Sequence, residues 1–180
     1  MSFFEFIMVL IGLVGAISLS VILIYLGYVA RNWDFVKNPT LFILLNSWLI
    51  FNVIGHISGI WAYRFVDLEV QFSTFVIIAP VVFFTLAVTT LIPSAAEDNQ
   101  TIDLDAVYFS SSRIVFFLLA VHELTALAAD YLPGVTGAPP VVFMVTMILI
   151  FLAGMTTKDK KIHCGLLALV ILSQAIPSVL

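Results

Sequence analysis

Residues 3–30 read FFEFIMVLIGLVGAISLSVILIYLGYVA, with Glu5 as the only charged side chain. An α-helix rises about 1.5 Å per residue, so roughly twenty such residues cross about 30 Å of hydrocarbon. The stretch closes at Arg31-Asn32-Trp33-Asp34, where Trp33 suits the headgroup region. It lacks the basic n-region of a signal peptide and outruns the usual signal core, so a retained first membrane span is expected.

The rest of the chain follows suit. Of its 180 residues 62% are hydrophobic and 10% charged, and the mean hydropathy is +1.18. A soluble domain devotes about a quarter of its residues to charge, so this composition cannot build a water-facing surface. The expected fold class is all-α, a polytopic membrane helix bundle of about six transmembrane helices with the lipid bilayer as its surroundings. The net charge of −4 and the lack of a Lys/Arg cluster exclude a nucleic-acid partner. The single cysteine, Cys164, excludes an internal disulfide and a Cys-rich metal site.

Spans are expected over 3–30, 40–63, 72–92, 113–132, 141–157 and 162–180, forming one transmembrane domain over 1–180. Asn38-Pro39-Thr40 restarts the chain before the second span, Trp61, Tyr63 and Arg64 mark its interfacial end, and Pro80 predicts a kink in the third. Pro133-Gly134 with Gly137-Ala138-Pro139-Pro140 predicts a tight turn. The connection 93–112 carries Glu97, Asp98, Asp103 and Asp105; its second half spaces Leu104, Val107, Tyr108 and Ser111 for a short surface helix or a plain loop. The last segment, with Ser173, Gln174 and Pro177, is either a span or a re-entrant element.

With six spans, Arg31, Lys37, Arg113, Lys158, Lys160 and Lys161 share one side and Arg64 stands opposite. The positive-inside rule then puts the N-terminus and C-terminus outside and connection 93–112 in the cytoplasm. Asn99-Gln100-Thr101 is then an accidental glycosylation sequon. Pro80 and Pro177 do not occupy matching places, so no inverted repeat is supported.

Polar groups inside spans are costly and call for partners. On the second span Trp48, Asn52, Gly55, His56, Gly59 and Tyr63 share a face. Gly55 and Gly59 fit a small-residue helix contact, with Asn52 and His56 as hydrogen-bonding glue. Helix four carries His122 and Glu123, with Asp130 nearly in line with Glu123 two turns on. His56 precedes Arg64 by eight residues and His122 precedes Asp130 by the same spacing, so both histidines lie at similar depth, about 12 Å inside those charges. If the two helices are neighbours, His56, His122 and Glu123 converge on a site able to relay protons, bind a cation or hold haem through two imidazoles. Packing glue and chance spacing are the alternative.

Ala126 stands where HExxH would need its second histidine, which excludes that metalloprotease motif. No nucleophile triad or phosphate loop is evident, so enzyme chemistry has no positive sign. Gly12, Ala16 and Ser20 form a small-residue stripe on helix one, suited to close approach by another helix or subunit.

The stretch Asp103-Leu104-Asp105-Ala106-Val107-Tyr108-Phe109, followed by Arg113 and Phe116-Phe117, with Trp48, His56 and Trp61 on an earlier span, resembles a segment of small uncharacterised bacterial multi-pass membrane proteins. The resemblance covers about a third of the chain and implies a bacterial inner-membrane location. The expected function is a channel or transporter-like protein, oligomeric, with Asn52, His56, His122, Glu123 and Asp130 as its polar core. His56, His122 and Glu123 are the candidate metal ligands. A non-catalytic subunit packed against a membrane-protein partner, and a haem- or quinone-linked redox protein, are the alternatives.

Overall fold

A computed structural model describes residues 3–66, 71–91, 101–136 and 139–175. Among these residues six α-helices form the bundle: α1 (Phe3–Arg31), α2 (Thr40–Gly59), α3 (Gln71–Thr90), α4 (Leu104–Asp130), α5 (Val141–Thr156) and α6 (Lys160–Ala175). Among the described residues, the helical stretches Phe4–Arg31, Thr40–Tyr63, Phe72–Thr90 and Leu104–Asp130 are long and apolar enough to cross a membrane. The chain is therefore a helical membrane protein. α5 and α6 have 16 residues each, about 24 Å of helix against about 30 Å of hydrocarbon. Glu97, Asp98, the Asn99-Gln100 part of the sequon, Gly137, Ala138 and Pro177 lie outside the described residues.

α1 shows how sequence spacing sorts its faces. Ile7, Ile11, Gly15, Ser18, Ile22, Tyr25 and Val29 recur at three- and four-residue steps and are buried, while Val9, Leu13, Ile17 and Ile24 point outward. Exposed aliphatic side chains would be a liability in water, but they suit a lipid-facing surface. The stripe of Gly12, Ala16 and Ser20 does not pack within the chain: Ala16 and Ser20 are exposed, and no heavy atom lies within 4 Å of a Cβ built at Gly12. Close approach to α2 is made instead at Gly15, whose Cβ position is 3.5 Å from the Ile57 side chain.

α1 packs on α2 and α3, α3 on α4, α4 on α5, and α6 on α2 and α5, with α4 also against α2. α4 begins at Leu104, not at Arg113 as hydropathy suggests, so the surface helix expected near residues 104–111 is its first two turns. The cause is a capping residue: the Asp103 carboxylate accepts from the amides of Asp105 and Ala106 at 3.0 and 3.3 Å, satisfying donors that a helix start leaves free.

Three connections meet at this end. Val36–Lys37 pairs in parallel with Ile102–Asp103. Asn38, in the left-handed region at φ 53 that asparagine tolerates, donates Nδ2 to Asp103 Oδ1 at 3.3 Å. Lys160 Nζ lies 2.6 Å from Asp105 Oδ2, and that bond holds the exposed ammonium above its ordinary range. Behind them Tyr108 and His163 are buried at 1% and 0% exposure. His163 Nε2 donates to the Thr157 carbonyl at 3.0 Å, so its Nδ1 is the acceptor for the Tyr108 hydroxyl at 2.7 Å.

At the opposite end the short 3-10 turn Ile60–Tyr63 continues α2, and the amide of Thr136 donates to the Ala62 carbonyl. Gly134 passes there at φ +92, with its Cβ position 2.6 Å from the Phe65 carbonyl oxygen. Only glycine combines that conformation with such close approach. Between the ends lies an apolar layer of Trp48, Phe84, Phe116, Leu119 and Phe151, all nearly fully buried.

Candidate functional site

α2 and α4 are in contact, and equal depth becomes proximity. His56 Nε2 and His122 Nε2 stand 3.2 Å apart, the ring centroids 4.8 Å apart with planes at 85°. α3 contributes through Pro80. The ring has no N–H, so the Val76 carbonyl loses its usual helical donor; α3 nevertheless runs unbroken from Gln71 to Thr90. The carbonyl of Pro80 itself accepts from His122 Nδ1 at 2.9 Å.

That bond fixes the protons of the neutral pair. A carbonyl only accepts, so His122 carries its hydrogen on Nδ1 and presents a bare Nε2. His56 must then donate through Nε2–H, which leaves its Nδ1 as a free acceptor. Phe84 flanks both rings, with centroids 5.7 Å from His56 and 5.5 Å from His122.

Glu123 follows His122 by about 100° around α4, yet its Oε1 is 3.9 Å from His122 Nε2. It is 9% exposed and, among the described residues, makes no hydrogen bond. Asn52, one turn before His56, has a buried Nδ2 without a partner. Asp130 ends α4 and accepts from the Tyr63 hydroxyl at 2.5 Å.

These groups line two clefts that share Gly55, His56, Ala126, Asp130 and Pro139. The smaller, about 240 Å³, runs beside Tyr63 and Pro80. The larger, about 510 Å³, holds Asn52, His122 and Glu123 against Phe51, Phe143 and Met144. Both therefore reach from the Asp130 end to His56, and the larger one also to His122, about 12 Å deeper along α4; the apolar layer lies beyond. Gly55 and Gly59 are cleft wall, with no heavy atom within 4 Å of either Cβ position. Among the described residues they form no helix contact; their lack of side chains leaves room for the smaller cleft.

The structure thus brings together Asn52, His56, His122, Glu123 and Asp130. Among the described residues no group of three His, Cys, Asp or Glu side chains is arranged to hold a metal ion. Two imidazoles trans on a haem iron would stand about 4 Å apart at about 2.0–2.1 Å per bond. The 3.2 Å contact leaves no place for iron between them. Sequence reasoning passed over Tyr63 as an interfacial anchor, although its phenol is the partner of Asp130. Its place on the Asn52–His56 face was the available signal.

No family model matches the chain, and comparison with curated proteins and with solved structures returns no match.

Proposed function

We propose that the chain is a channel or transporter-like membrane protein that takes up and releases protons, or a small cation, at the His56–His122 pair. The observation that carries this is the direct 3.2 Å contact between the two Nε2 atoms. A proton added to the pair goes to the free His56 Nδ1, while the hydrogen already shared between the two Nε2 atoms spreads the charge over both rings, and Glu123 nearby can balance it. Asp130 and Tyr63 form the mouth through which it arrives. The apolar layer separates this site from the lysine-rich end, which favours a gated, transporter-like cycle over a standing pore. Six spans, both termini outside and a bacterial inner-membrane setting complete the reading, so the clefts open outward.

Purified protein in liposomes carrying a pH-sensitive dye should pass protons under an imposed gradient, and Glu123→Gln should alter the rate. Equal leakage from protein-loaded and empty vesicles would sink the reading. A second reading, a scaffold for a membrane-protein partner or a second copy, is favoured by the outward stripe of Gly12, Ala16 and Ser20. It expects a co-purifying partner and no response to Glu123→Gln.

A further inference from the structure

The larger cleft is out of scale for a proton. Its volume of about 510 Å³ compares with about 30 Å³ for one water, and falls in the roughly 300–1,000 Å³ range of small-molecule sites. Its walls are two-sided. Phe51, Phe143 and Met144 offer aromatic and thioether surface, while Asn52, Glu123 and Asp130 offer polar groups.

Charge then selects the occupant. Neither cleft has a Lys or Arg in its lining. The titratable groups that face Glu123 are His122 and Asp130 on its own helix and His56 and Tyr63 from α2 and the turn after it; α3 and α5 carry no ionisable residue. With both histidines neutral, the uncompensated charge available is negative. An anion would meet carboxylates with no cation to offset them. A wholly apolar guest would leave the Glu123 carboxyl unsatisfied at a cost. A cation with an apolar body satisfies both walls, its charge on Glu123 and its body against the rings of Phe51 and Phe143.

We infer that the larger cleft binds an organic cation, an ammonium-type group on an apolar body, whose charge rests on the Glu123 carboxylate in competition with protons. This rests on the proton-handling reading and supplies its substrate class. α2 and α5 flank the cleft and meet at the Trp48–Phe151 ring contact, 5.3 Å between centroids, while Phe51 on the cleft wall is 61% exposed. An amphiphile can therefore enter sideways from lipid.

Tetraphenylphosphonium and tetraphenylborate share a shape and carry opposite charges, so they isolate the charge term. In equilibrium dialysis against the purified full chain in a non-ionic detergent, the phosphonium should bind saturably and the borate should not. Phosphonium binding should weaken as the medium is acidified, because proton and cation compete for one carboxylate. Glu123→Gln should weaken it about tenfold or more, the worth of a charge-assisted contact. Should that variant fail to fold, the two probes on the wild-type chain decide alone. Equal binding of both ions, no saturable phosphonium binding, or an unchanged affinity in folded Glu123→Gln would overturn the inference. Proton flux in liposomes without phosphonium binding overturns it while leaving the proton reading intact; binding without any flux supports the site and removes that reading.

Discussion

Tyr108 and His163, 55 residues apart in sequence, are joined by a 2.7 Å hydrogen bond from the phenol to Nδ1 at the lysine-rich end of the bundle. The imidazole is fully buried and its other nitrogen is bonded to Thr157. Tyr108→Phe keeps the ring and removes the donor, stranding a buried acceptor. A loss of about 1–3 kcal/mol is expected, read as a lower unfolding midpoint in detergent. His163→Ala should cost more, since it also empties the space between Tyr108, Phe109 and Phe116.

The His56–His122 contact predicts energetic coupling. In a double-mutant cycle, His56→Ala and His122→Ala should be non-additive by about 0.5–3 kcal/mol, because the second substitution removes an interaction already lost. Additive losses measured by thermal unfolding would show that the two rings do not interact.

Asp103 predicts an acid-sensitive helix start. The bond from Asn38 first, then the amides of Ala106 and Asp105, hold its carboxyl below the ordinary 3.8. A group whose folded value is depressed contributes stability above its unfolded value and loses it as pH falls through the folded one. The contribution is therefore complete above about pH 4 and lost below it. Asp103→Ala should remove about 1 kcal/mol at neutral pH. Asp103→Asn should keep most of the cap and flatten the acid response, seen in unfolding midpoints between pH 3 and 7.

Gly134→Ala should be destabilising by more than about 1 kcal/mol, since φ is +92 and the new Cβ would lie 2.6 Å from the Phe65 carbonyl oxygen. Gly12→Ala is the control, with open space at its Cβ; its unfolding midpoint should stay put or rise.

Hydropathy and punctuation made the first two helices legible, because Arg31 and Pro39 sit at real boundaries. The shared depth of His56 and His122 also followed from counting residues. That α2 and α4 touch did not, since two apolar helices carry no label for their neighbours. The start of α4 was obscured because hydropathy averages over Asp103 and Asp105, whereas the chain uses the first as a cap. His163 was passed over for a related reason: it adjoins Lys158–Lys161, and only the approach of Tyr108 gives it a buried site. Gly55 and Gly59 show the converse, since a motif that usually marks contact here lines a cleft.

The pairing of Val36–Lys37 with Ile102–Asp103 has a consequence for how the bundle is assembled. Its first half leaves the ribosome well before its second, so the loop between α1 and α2 has no partner until the start of α4 is made. When the two strands engage they add a register check to the phase that packing on α3 and α5 gives α4. One residue of slippage would turn that helix by about 100° and swing His122 away from His56. The clip is thus a late alignment key, and damage to it should be felt at the far end of the helix it indexes.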